Sequence, residues 1–99
     1  MTEQTKAKFI ELTRQIAAWI LDAPPPAQKK IKFKVELHMF DGEIFLNFWS
    51  YSKKTTANIG AYHIEITSRE RWMPPEKIPA VMKAIEEHIK KGKRLPAYF

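Results

Sequence analysis

The stretch Ile31–Lys54, IKFKVELHMFDGEIFLNFWSYSKK, decides the fold. In its first ten residues Ile31, Phe33, Val35, Leu37 and Met39 share one parity. Lys32, Lys34, Glu36 and His38 share the other. Alternation of period two predicts a strand with one buried face. Asp41-Gly42 then reads as a two-residue type I′ turn, because both residue types tolerate positive φ. That turn sets Phe40 opposite Glu43, Met39 opposite Ile44, Leu37 opposite Leu46 and Val35 opposite Phe48. The last three pairs are expected to build the core face. On the opposite face Phe45 falls beside His38, Asn47 beside Glu36, Trp49 beside Lys34 and Tyr51 beside Lys32. A slip of one residue would exchange the two faces.

Working outward, the polar loop SKKTTAN leads to a third strand, IGAYHIEIT. Tyr62, Ile64 and Ile66 take the core parity. Ile59, Ala61, His63, Glu65 and Thr67 take the outer one. An antiparallel third strand is expected to place Ile59 beside Tyr51 and Ala61 beside Trp49. Thr67 and Glu70 have capping-box spacing, with a short helical turn over SRERW before Pro74-Pro75. Pro75 or Pro79 suits the first turn of a final helix, and the main helix is expected near Pro79. Ile78, Val81, Met82, Ile85 and Ile89 form its apolar stripe, and Gly92 closes it in a left-handed conformation. The basic run KKGKR complements the helix dipole. The tail at 95–99, LPAYF, is expected to dock or to pair with a partner.

Upstream, Thr2 caps a first helix running to about Asp22. Phe9, Leu12, Ile16 and Ile20 recur at helical spacing, and Trp19 widens the stripe. The proline-rich connection at 24–28 ends it, because proline lacks the amide and restricts its predecessor. The expected class is α+β in the order α-β-β-β-α: a three-stranded antiparallel sheet with the N-terminal and C-terminal helices on one face.

The chain has 99 residues, the size of a single domain. Apolar residues make up 44% and charged residues 28%, a globular balance. Seventeen Lys and Arg against eleven Asp and Glu leave a net charge of +6, which favours polyanions or acidic protein surfaces. There is no cysteine, so disulfides, thiolate catalysis and Cys-ligated zinc are excluded. That absence fits a reducing compartment, and a cytoplasmic location is expected. The N-terminus lacks an uninterrupted apolar segment of the kind a secretory signal needs. No apolar run approaches the roughly 20 residues of a spanning helix. No membrane partner is expected.

The leading candidate site is the outer aromatic and cationic cluster of Lys32, Lys34, Trp49, Tyr51, Lys53 and Lys54. Bases stack on aromatic rings while lysines neutralise phosphates, so such a face suits single-stranded nucleic acid. The competing reading is an anchor for an acidic protein partner, in an inhibitor or adaptor of the kind phages and plasmids encode. A third is self-association into a homodimer. A second basic group, Lys90, Lys91, Lys93 and Arg94, adds phosphate contacts in the first reading. Taken alone it is an ordinary solvated helix end.

His38 and His63 share the outer face on the first and third strands. Two strand spacings of about 4.8 Å separate them, too far for one metal. All three histidines, His88 included, read as surface residues. Glu36 and Glu65 read as a solvated charge network rather than an acid/base pair. No phosphate loop, dinucleotide fingerprint or nucleophile elbow occurs. No catalytic residue, metal or cofactor is expected, and the reading is a non-enzymatic binding domain.

The element order matches double-stranded-RNA-binding domains. Those carry a longer loop between the first two strands and open their last helix with a lysine cluster. Here Asp41-Gly42 and PPEKIP stand in those places, and that reading is set aside. Over about residues 33–89 the chain instead resembles the positive-cofactor-four family of single-stranded-DNA-binding transcriptional coactivators. The matching positions are Trp49, Tyr51, Lys53, Lys54, Ile64, Ile66, Thr67, Glu70 and Trp72. The resemblance implies a dimer whose sheets bind single strands. This chain differs from that family in opening with a helix and in placing Pro74, Pro75 and Pro79 around its last helix.

Overall fold

The computed structural model describes residues 2–25, 31–52 and 62–96. Its elements are helix α1 (Glu3–Leu21), strands β1 (Ile31–Phe40), β2 (Glu43–Ser52) and β3 (Tyr62–Thr67), a 3-10 turn (Pro75–Lys77) and helix α2 (Ile78–Lys91). The sheet order is β1-β2-β3, antiparallel throughout. This is the α-β-β-β-α arrangement expected from the sequence.

Thr2 caps α1, its hydroxyl accepting from the Thr5 amide at 3.1 Å. Between β1 and β2, Asp41 (φ 52°) and Gly42 (φ 75°) both take positive φ, the requirement of a type I′ turn. The register follows as expected, from Phe40 opposite Glu43 to Lys32 opposite Tyr51. Ile44, Leu46, Phe48, Ile64 and Ile66 point from one sheet face into the core. Phe9 and Ile16 of α1 meet them, as do Ile78, Val81, Met82, Ile85 and Ile89 of α2. Pro79 lies in the first turn of α2.

Four sequence expectations need correction. First, β3 is offset by two residues, so Trp49 pairs with His63 and not Ala61. Faces survive an even shift, but neighbours change. Ile59, Ala61 and the expected Ile59–Tyr51 pairing lie outside the described residues, as do 26–28 of the proline-rich connection and 97–99 of the tail. Second, Leu37 and Met39 carry the core parity but are 40% and 61% exposed. β1 is an edge strand, and α1 does not cover its far end. Tyr62, also of core parity, is likewise exposed. Third, Thr67 and Glu70 form no capping box. The Thr67 hydroxyl accepts from the Arg69 amide instead, and the Trp72 and Met73 amides close a single turn on the Arg69 carbonyl.

Fourth, His88 is buried, at 7% exposure, rather than a surface residue. Gly92 (φ 69°) turns the chain after α2 so that its amide reaches the His88 carbonyl at 3.1 Å. The next carbonyl, Lys93, accepts from His88 Nδ1 at 2.8 Å. A carbonyl only accepts, so Nδ1 carries the proton. In the neutral ring Nε2 is then an acceptor, and the buried Ser50 hydroxyl donates to it at 2.8 Å. The ring packs edge-on against Phe33 and Phe48. This bridge ties the end of α2 to the central strand, and Leu95 is buried just beyond it.

Ser50→Ala removes the donor and leaves Nε2 unsatisfied without opening a large cavity. It is expected to cost about 1–3 kcal/mol of stability, read from urea unfolding midpoints. A loss below about 0.5 kcal/mol would mean that the bridge does not hold the helix end.

Candidate binding face

The sheet face opposite the helices is organised in cross-strand rows. Lys34, Trp49 and His63 form one row, Glu36, Asn47 and Glu65 the next, and His38, Phe45 and Thr67 a third. Lys32 stands beside Tyr51 at the end of the β1–β2 ribbon. Period-two alternation in all three strands places these side chains on the face away from the helices, where Thr67 is nonetheless buried.

At the Tyr51 end the rings are aligned. The Trp49 indole stacks on the His63 imidazole, with centroids 3.8 Å apart and planes 15° apart. Tyr51 lies 6.0 Å from Trp49, within 5° of parallel. Trp49 is therefore on the outer face, as expected, but half-buried by its neighbours. Its Nε1 is buried and has no hydrogen-bond partner among the described residues. His63 Nε2 is tied to Asn47 Oδ1, which orients the ring. Sequence reasoning left His63 out of the site because it assigned Ala61 to the place beside Trp49.

Of the cations expected here, Lys32 and Lys34 stand beside the rings. Lys53 and Lys54 lie outside the described residues. Lys34 forms an ion pair with Glu36, and Glu36 also bonds His38 at 2.6 Å. The hydrogen bond from Lys34, with a smaller contribution from His38, lowers the Glu36 pKa. The same carboxylate raises that of Lys34. Among the described residues no carboxylate pairs with Lys32.

Lys90, Lys91, Lys93 and Arg94 do not join this face. They sit at or beyond the end of α2, which packs on the other side of the sheet. Lys90 pairs with Glu86 at 2.8 Å and lies 5.8 Å from the Trp19 ring. Lys93 pairs with Glu87 at 3.3 Å. Lys91 and Arg94 are exposed.

A second aromatic group occupies the far end of the outer face. The Arg69 guanidinium lies 4.4 Å from the Trp72 ring centroid and 5.4 Å from that of Phe45, and it pairs with Glu43. Trp72 is largely exposed. Its position follows from the turn over 69–73 that replaces the expected capping box. The acidic row of Glu36 and Glu65 separates the two aromatic ends.

Partial burial disfavours the charged form of His63 and lowers its pKa below the ordinary 6.5, while Glu65 and Glu36 pull weakly the other way. The unfolded chain therefore binds the proton more readily than the folded one. The stabilisation from His63 is complete above pH 6.5 and is lost as pH falls through the folded value. His63→Asn is expected to remove that part of the acid sensitivity, read as the wild-type-minus-variant difference in unfolding midpoint on either side of pH 6.5. An NMR titration placing the His63 midpoint at or above 6.5 would contradict this.

No protein-family model matches the chain, and comparison with curated proteins and with solved structures finds no significant match.

Proposed function

We propose that this protein is a non-enzymatic binding domain whose outer sheet face takes single-stranded nucleic acid at its Tyr51 end. The observation that carries the reading is the set of aligned rings, Tyr51, Trp49 and His63, on the face away from the helices and beside Lys32 and Lys34. Every base has a flat face, so bases add to a group of parallel rings without regard to sequence. The ammonium groups of Lys32 and Lys34 lie on the neighbouring strand, where a backbone threading past the rings meets them. The resemblance of Trp49, Tyr51 and the Thr67–Trp72 stretch to the positive-cofactor-four family supports the same reading. The acidic row bounds the site, because a phosphate chain crossing it meets Glu36 and Glu65.

The same acidic row favours a second reading, a small protein-binding inhibitor or adaptor. Lys34 and Arg69 are each already matched by a carboxylate, so the face has mixed polarity rather than one sign. A protein surface with an anchoring apolar side chain suits that pattern.

Fluorescence anisotropy of labelled oligothymidine, titrated with protein across a salt series, separates the two. Two phosphate contacts, from Lys32 and Lys34, predict a log–log salt slope of about −1.4. Lys53 and Lys54 steepen it if they also engage. Tyr51→Ala and Trp49→Ala each remove a stacking surface worth about 1–3 kcal/mol, a loss of roughly 5- to 150-fold. Glu36→Gln releases Lys34 and is expected to tighten binding. Absence of any anisotropy change at low salt would sink the nucleic-acid reading and leave the adaptor.

A further inference from the structure

We propose that the chain forms a symmetric dimer in which β1 pairs antiparallel with β1 of a second copy, centred on Val35, while α1 packs against its counterpart. The interface runs along the free edge of β1 and the flank of α1; it shares Lys34 and Glu36, which pair within the chain, with the outer face.

The first observation is the edge itself. β1 has ten residues in uninterrupted register with β2, without proline or bulge, and among the described residues no strand pairs with its other side. Such an edge templates a further strand unless something blunts it. Its outer-face charges run Lys32, Lys34, Glu36, His38, which is mixed in sign rather than repulsive.

That order is self-complementary in one register. Keeping both core faces on the same side requires the two-fold axis to pass through a residue pair. Centring on Val35 sets Lys34 against the partner's Glu36, and by symmetry Glu36 against the partner's Lys34. It also sets Phe33 against the partner's Leu37 and Ile31 against the partner's Met39. Centring on Lys34 or on Glu36 places a charge against its own copy. Centring on Phe33 places Lys32 against the partner's Lys34. Centring on Leu37 gives Glu36–His38 pairs but shortens the overlap to residues 34–40. The Val35 register alone combines the longer overlap with opposite charges face to face.

The second observation comes from α1. Ile10 and Leu21 are 60% and 80% exposed. They lie about 20° apart on the helical wheel, with Ala17 between them along the helix. Phe9 and Ile16 face the core, and Trp19 lies toward Lys90 of α2. The Ile10–Leu21 flank is thus the one turned away from α2, above the free edge. Ile10 and Lys6 line a groove of about 230 Å³ with Leu37, His38, Met39 and Ile44, so the Ile10 end of the helix flank adjoins the exposed end of β1.

The spacing fits as well. α1 packs on both β1 and β2, and an axis over the gap between them would lie about half a strand spacing inside the edge. Joining two sheets at a strand spacing of about 4.8 Å then puts the two α1 axes about 10 Å apart, the upper end of the usual helix-packing distance. Ala17 lies near the middle of this flank, beside Arg14, whose guanidinium is held by Glu11.

The chain contains no cysteine, which allows a position-specific test. Val35→Cys sits on the proposed axis, where facing Cα atoms stand about 4.5–5.5 Å apart, within disulfide reach. It is expected to oxidise to a covalent dimer in dilute solution. Lys32→Cys, six residues from its own copy's position and roughly 20 Å away, is not. In parallel, sedimentation equilibrium of the cysteine-free chain should show a concentration-dependent dimer. Glu36→Lys should weaken it by at least about fivefold, and the swapped pair Lys34→Glu with Glu36→Lys should restore it. Circular dichroism confirms that each variant is folded. A wild-type chain that stays monomeric at high concentration overturns the proposal. So does a dimer in which Lys32→Cys crosslinks as readily as Val35→Cys, or one that Glu36→Lys leaves unchanged.

Discussion

Positive φ at Asp41 and Gly42 is the constraint on which the other features rest. A two-residue turn of this type leaves the flanking strands one register, and that register assigns every side chain of β1 and β2 to a face. Leu46 and Phe48 go under the helices, and Asn47 and Trp49 go to the other side. β2 is the central strand and carries both sets. One extra residue in the turn would bury Asn47 and Trp49 and expose Leu46 and Phe48. The core and the candidate site would fail together, because both are readings of one alternation.

What the sequence revealed, and what it hid, divides along the same line. Local rules placed the Thr2 cap, the β1–β2 register, the last helix starting near Pro79 and the left-handed Gly92 correctly, since each depends on residues within a few positions. The β3 register depends on how the chain returns after β2, and period two constrains only its parity. The true partner of Trp49 is two residues along, so His63 was assigned to the right face and the wrong row. Leu37 and Met39 show the opposite failure. Their parity is that of the core, but parity does not say how far a helix extends over an edge strand. His88 was hidden because its partners, Ser50 and the Lys93 carbonyl, come together only when α2 docks and Gly92 turns the chain back.

The candidate site was half legible. Lys32, Lys34, Trp49 and Tyr51 follow from the hairpin register alone. Lys90, Lys91, Lys93 and Arg94 share only their charge with that group, and a helix packed on the opposite sheet face carries most of them away from it. Arg69 and Trp72 reach the outer face through the single turn after β3, a turn the SRERW stretch signals without signalling where its side chains go. Nothing in their spacing signals that the guanidinium will lie between Phe45 and Trp72.

The charges on the outer face also limit how it can bind. Lys34 is held by Glu36, and Arg69 by Glu43, so a polyanion gains little from either until the carboxylate lets go. Breaking a fully exposed pair costs only about 0–1 kcal/mol, and these pairs are half-buried, so the carboxylates weaken phosphate contacts rather than forbid them. The rings face no such competition. Stacking on Tyr51 or His63 removes apolar area from water at any salt concentration, and the Trp49–His63 stack is already ordered before a ligand arrives. On the proposed reading, affinity on this face would therefore come mainly from ring surface, with charge setting orientation and approach. A net charge of +6 distributed over the whole chain serves that second purpose without being concentrated at the site.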